Sequence, residues 1–164
     1  MSKSQKRLQR QLEQFAKREA LRAKAVRTFN LAMSMNRPLD AEQTTTLGVA
    51  YWAAFDAVKR GAATDHDIDT LASAVNVSLI LCERTPGSED AIDAVKSAQD
   101  ALMRAKGRHD RHGRYGLDGA GMQALADALD IHDQQMRLHT AGEMESALVE
   151  AIKRMRAGDV LEVA

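Results

Sequence analysis

Apolar residues recur at three- and four-residue spacing in successive stretches of the chain, the period of an amphipathic helix rather than of a strand. Over 41–60, Leu47, Tyr51, Ala54, Phe55 and Val58 share one stripe. Over 64–83, Ile68, Leu71, Val75, Leu79 and Cys82 do the same, with Val77, Ile80 and Leu81 on the remaining faces. A helix that is apolar nearly all round belongs at the centre of a bundle. Over 89–112 the stripe is Ile92, Val95, Ala98, Leu102 and Ala105. Over 119–139 it is Met122, Leu125, Leu129 and Met136, and over 141–157 Met144, Leu148, Ala151, Ile152 and Met155. No alternating pattern of useful length predicts a strand.

The punctuation between these stretches agrees. Asp40 with Gln43, Thr64 with Asp67, and Thr140 with Glu143 have the spacing of a side-chain cap answered three residues later. Ser88, after the Pro86-Gly87 break, and Asp118 are the expected caps of the two helices between. Gly61, Gly113 and Gly158 stand where helices should end. A further helix is expected from about residue 5 to 34, closed by Asn36-Arg37-Pro38. Val160, Leu161 and Val163 leave a short apolar tail. Connections this short make chain-neighbouring helices antiparallel. The expectation is an all-α, single-domain antiparallel helical bundle of five to six helices. Residues 1–36 form a basic N-terminal helical arm and 37–164 the bundle.

Composition supports helix: 164 residues with two prolines, three phenylalanines and one tryptophan, and 45% apolar. No apolar run reaches the ~18 residues of a membrane span, and the charged N-terminus lacks a signal peptide's apolar segment. With Cys82 alone there is no internal disulfide, so a cytoplasmic protein is expected.

Formal charge is zero but unevenly spread. Residues 1–28 carry nine Lys/Arg against Glu13 and Glu19, a net +7 that the remainder balances at −7. Lys6, Arg7, Arg10, Lys17 and Arg18 are the arm's candidate contacts for an acidic or polyanionic partner. The arm is only partly amphipathic: Glu19 and Arg22 interrupt its Leu8/Leu12/Phe15 and Val26/Phe29/Met33 stripes, which argues against a long coiled coil. Trp52, beside its helix's main stripe, would mark an interface or pack on that arm.

The most chemical-looking stretch is GRHDRHGRYGLDGAG, residues 107–121. Much of it has a structural job. Gly113 takes the position after the helix end, Asp118 the next cap, and Leu117 and Met122 the staple positions around that cap. Arg104, Arg108 and Arg111 form an i, i+4, i+7 row with Arg114 just beyond, and Tyr115 sits in a loop with little to bury it. These five residues are a second candidate contact patch.

The histidines tempt a metal reading. His109 and His112 extend one apolar row, and His132 and His139 another. Helical rise separates His109 from His132 by roughly 15 Å in an antiparallel hairpin, too far for shared ligation. No metal, cofactor or catalytic residue is expected. Asp65-His66-Asp67-Ile68-Asp69 starts like a calcium loop but has Thr70 and Asn76 where glycine and glutamate are needed. Gly113-Arg114-Tyr115-Gly116 matches the bare G-x-x-G of nucleic-acid clamps, without the strands those domains need. Cys82 is expected to be a buried structural thiol.

Three segments, FNLAMSMNRPL (29–39), LASAVNVSLILCER (71–84) and GRYGLDGAGM (113–122), followed by LDIHDQQM (129–136), resemble uncharacterised small helical proteins of beta-proteobacterial prophages and mobile elements. The resemblance spans about residues 29–161 and implies an accessory protein that modulates host machinery. It supplies no functional residue. The first expectation is therefore a non-enzymatic helical interaction protein, phage- or mobile-element-encoded, that binds a protein partner in a bacterial macromolecular complex. The alternatives are a nucleic-acid-binding regulator using the basic arm, and a helical phage component that forms a homo-oligomer. No membrane partner is expected.

Overall fold

A computed structural model of the chain describes residues 35–158. The chain divides into two compact units, Met1–Arg37 and Pro38–Ala164, and the second carries the architecture described below. The expected N-terminal helix, the contact candidates Lys6, Arg7, Arg10, Lys17 and Arg18, and the tail at Val160, Leu161 and Val163 lie outside the described residues.

Side-chain caps start most of the helices. Asp40 accepts from the backbone N–H of Gln43, whose side chain returns the bond to the Asp40 N–H, and α1 (Ala41–Lys59) follows. Thr64 and Asp67 repeat that exchange at α2 (Asp65–Arg84), and Thr140 and Glu143 repeat it at α5 (Ala141–Ala157). Asp118 caps α4 (Gly119–Leu138) through the Gly121 N–H at 2.7 Å. Each cap satisfies N–H groups that a helix start leaves orphaned. Ser88 departs from expectation: ahead of α3 (Glu89–His112) it has φ −101° and ψ 20° and makes no side-chain cap bond. The acidic first turn of α3, Glu89 and Asp90, still complements the helix dipole.

These five helices form an all-α bundle, and among the described residues the only β pairing is an isolated bridge between Pro38 and Thr140. α2 is central and packs against each of the other four. Its buried run is almost continuous from Leu71 to Cys82, broken only at exposed Ser73, as its all-round apolar pattern predicts. The main core joins it to α1, α3 and α4 through residues such as Phe55, Val95, Leu102, Leu125 and Leu129. Fully burying a Leu side chain contributes about 1.5–3 kcal/mol before entropy is set against it. A second cluster joins Val77, Ile80 and Leu81 of α2 to Ala147 and Ala151 of α5.

Two predicted stripes are displaced. Leu47 keeps 46% of its surface exposed, so the α1 stripe is buried only from Tyr51 onward. On α5 the buried residues are Ala147 and Ala151, while Leu148 and Ile152 remain exposed. The α2 face opposite is already bulky, and α5 presents its small residues there, so the larger ones are left at the rim. No helix among the described residues is long and apolar enough to cross a membrane.

Candidate functional site

The corner between α3 and α4 holds the predicted contact patch, and the structure divides its members into two groups. α3 ends at Gly113, whose φ of +70° is the left-handed conformation that glycine accepts without a Cβ penalty. Its N–H closes on the His109 carbonyl at 2.7 Å. The chain then turns inward. Tyr115 is 5% exposed, not the loop aromatic open to solvent that the sequence predicts. Its ring stacks on His109 at 4.1 Å between centroids and 5° between planes. Its hydroxyl donates to Asp65 Oδ1 at 2.7 Å, which pins the corner to the first turn of α2. Burial and that carboxylate push the phenol up to about 12.

Arg108 is likewise occupied. Its Nη1 donates to the Gly116 carbonyl at 2.8 Å and its Nη2 to Asp118 Oδ2 at 3.1 Å. The other Asp118 oxygen caps α4, so one guanidinium braces both sides of the turn. The Gly121 N–H, and then Arg108, hold the Asp118 carboxyl below the usual carboxylate range. Arg108 and Tyr115 are therefore parts of the corner, correcting their place among freely exposed contact residues. Arg104, Arg111 and Arg114 are exposed and make no ion pair or hydrogen bond among the described residues.

Of these three, Arg114 lines a cleft of about 430 Å³ between the corner and the end of α1. Val58, Tyr115, Leu117 and Met122 supply apolar lining, while Lys59, Arg60, Arg108 and Arg114 supply the cationic groups. Arg60 is paired with Asp56 at 2.9 Å, and Lys59 lies 5.5 Å from the Phe55 ring centroid. Charge is concentrated here. Residues 104–114 hold five Lys/Arg and one Asp, whereas the rest of 38–158 holds eight Lys/Arg and eighteen Asp/Glu. The bundle thus has a basic corner on an acidic body, which orients an approaching acidic surface.

The chain matches no protein-family model, no curated protein and no solved structure with which it was compared. What the corner binds has to be inferred from its own side chains.

The histidines do not converge. His109 is spent on Tyr115, His112 is exposed, and His139 Nδ1 lies 3.0 Å from the Gln135 carbonyl. His132 is buried in α4, edge-on to Tyr51 at 5.4 Å. Among the described residues no three His, Cys, Asp or Glu side chains are grouped to hold a metal ion. Burial drives His132 down to about 4, with Gln135 and the Asp133 charge pulling only part of the way back. The ring is therefore neutral at physiological pH.

Beside it lies a polar junction missed in the sequence. Asp133 accepts from the Tyr51 hydroxyl and, at 3.0 Å, from Trp52 Nε1. Trp52 thus has a partner within the bundle. Burial first, and then Asp133, raise the Tyr51 phenol far above its ordinary range. A Tyr-Trp pair facing an acidic residue across about eighty positions leaves no local signal, so only the fold reveals it. Cys82 is buried as expected. Burial raises its thiol, and Gln135 Nε2 donates to Sγ at 3.1 Å.

Proposed function

We propose that this chain is a non-enzymatic helical interaction protein that binds an acidic protein surface through its basic corner. The observation that carries the reading is the set of exposed, unpaired Arg104, Arg111 and Arg114 at one corner of the bundle, where Arg114 also lines a partly apolar cleft. Cations left without carboxylate partners on a body rich in carboxylates are free to pair with another molecule. The apolar lining adds a place for side-chain burial, which charge alone lacks. A protein partner is favoured over nucleic acid by the charge pattern along α3. Its first half carries Glu89, Asp90, Asp93 and Asp100, which repel a phosphate backbone running on from the corner. Taken with the resemblance to mobile-element proteins, the partner is proposed to be a host complex in the bacterial cytoplasm.

The test is capture from nuclease-treated beta-proteobacterial lysate by the wild-type chain and by Arg104→Glu/Arg111→Glu/Arg114→Glu. A specific complex captured by wild type should be lost by the triple variant, at an unchanged melting temperature. Capture that survives the charge reversal would refute the corner as the contact. Salt-dependent binding of DNA or RNA that the reversal abolishes would favour the nucleic-acid reading instead.

A further inference from the structure

The cleft at the corner, at about 430 Å³, falls within the roughly 300–1,000 Å³ of small-molecule sites. It opens between the last residues of α1 and the turn after α3, and both sides supply cations. Four of the thirteen Lys/Arg in residues 38–158 line it, and none of the nineteen Asp/Glu does. On a body with more carboxylates than cations, that lining reverses the surrounding charge and favours an anion.

The four cations are not equally committed. Arg60 is paired with Asp56 at 2.9 Å, and Arg108 with Asp118 at 3.1 Å. Lys59 and Arg114 are exposed and make no ion pair among the described residues, Lys59 lying 5.5 Å from the Phe55 ring centroid. Two cations are therefore left without a countercharge, one from α1 and one from the turn. Carbonyls at helix ends oppose a bound anion. Here the carbonyls of Ala57, Val58 and His109 already accept from the N–H groups of Ala62, Gly61 and Gly113. Arg108 Nη1 likewise covers the Gly116 carbonyl. Val58, Leu117 and Met122 add apolar surface to the same cleft. The Tyr115 hydroxyl is held by Asp65, so that residue offers ring surface rather than a hydrogen bond.

We propose that the cleft binds a small amphiphilic anion, an apolar body carrying one phosphate or carboxylate group. Lys59 and Arg114 take the head, because ammonium and guanidinium groups make charge-assisted hydrogen bonds to either oxyanion. The apolar lining takes the body, which a bare inorganic anion lacks. This site goes beyond the proposed protein contact and shares only Arg114 with its three exposed cations, since Arg104 and Arg111 stand outside the lining. Failure of small anions to bind would leave capture of a protein partner untouched, and failure of capture would leave this cleft untouched.

The probes are 1-naphthyl phosphate and 1-naphthoate, with 1-naphthol lacking the anionic head and inorganic phosphate lacking the body. Binding to the full chain is measured by calorimetry and mapped by two-dimensional NMR. At least one of the two naphthyl anions should bind saturably and shift the methyl groups of Val58, Leu117 and Met122, and the tighter of the two identifies the head group. 1-Naphthol and inorganic phosphate should each bind at least about tenfold more weakly. Lys59→Gln/Arg114→Gln should weaken the anion at least about tenfold with an unchanged circular-dichroism spectrum. Arg104→Gln/Arg111→Gln removes the same charge outside the lining and should leave the affinity unchanged. The proposal is overturned if neither naphthyl anion binds saturably, or if 1-naphthol or inorganic phosphate binds as tightly. It is also overturned if the two double variants lose affinity equally, or if the shifts map to residues 1–34 instead of the cleft.

Discussion

Replacing Tyr115 by alanine separates a corner that is built from one that is merely exposed. The ring is 5% exposed and stacked at 4.1 Å on His109, and its hydroxyl holds Asp65 at 2.7 Å. Truncating a buried aromatic costs about 3–5 kcal/mol where surroundings cannot collapse. Here the ring belongs to a short loop at the protein edge, so partial relaxation favours the low end, about 3 kcal/mol. Asp65 is exposed and regains water, which limits the hydrogen-bond share to about 1 kcal/mol. Tyr115→Phe, which removes only the hydroxyl, should therefore cost about 1 kcal/mol. For a chain of this size about 3 kcal/mol lowers the melting temperature by roughly 6–12 °C. Urea and thermal melts followed by far-UV circular dichroism measure both variants. An exposed contact residue would change stability by no more than about 0.5 kcal/mol on truncation. A Tyr115→Ala protein melting within about 2 °C of wild type would refute the packing argument. Arg114→Ala, at an exposed and unpaired position, is the matched control and should leave the melt unchanged.

The other expectations test separate parts of the bundle. His132 is depressed from 6.5 to about 4 in the fold, so between those values the unfolded chain binds the extra proton. Its contribution is complete above about pH 6.5 and is lost as pH falls toward 4, by up to about 3 kcal/mol. Urea titrations at pH 7 and 4.5 should show His132→Phe losing less stability on acidification than wild type, and parallel losses would contradict the buried neutral ring. Gly121 sits where an added Cβ would meet Ala101 Cβ at 3.2 Å and Asp118 Oδ1 at 3.0 Å. Gly121→Ala should therefore cost about 1 kcal/mol, overpacking outweighing helix propensity. Gly119→Ala meets nothing within 4 Å and should gain about 0.5 kcal/mol. A stabilised Gly121→Ala would show that α3 and α4 can move apart. Asp133→Ala strands the Tyr51 and Trp52 donors, costing about 2 kcal/mol. The only tryptophan is then its own reporter, and an unchanged Trp52 emission spectrum would argue against that junction.

Local chemistry was legible in the sequence, and long-range packing was not. Asp40, Thr64 and Thr140 could be placed because a cap and its partner lie three residues apart and need no other element. Ser88 shows the boundary of that rule. It has a cap residue's identity, but at φ −101° and ψ 20°, after the left-handed Gly87, its backbone lacks the extended geometry of the other caps. The centrality of α2 followed from its all-round apolarity. The phase of α5 did not follow, because periodicity weights large apolar residues while close approach to α2 selects Ala147 and Ala151. Tyr115 and Asp133 were missed for one reason: their partners Asp65, Tyr51 and Trp52 lie at least fifty residues away.

The corner's two kinds of residue have complementary consequences for binding. Loops that become ordered on association lose conformational entropy, about 0.5–1.5 kcal/mol for each immobilised side chain. Tyr115 and Arg108 fix the turn before any partner arrives, by stacking on His109 and by bracing Gly116 and Asp118. Arg111 and Arg114 flank that fixed turn, so the backbone carrying them is already placed. Tyr115 and Arg108 act on recognition by holding geometry, whereas Arg104, Arg111 and Arg114 act by supplying charge. Stability and affinity distinguish those roles: loss of Tyr115 lowers both, while loss of Arg114 lowers affinity at constant stability. A partner that needed only diffuse positive charge would tolerate the loosened turn. One that needs the cations at fixed spacing would not, which makes the fixed joint part of the specificity of the proposed interaction.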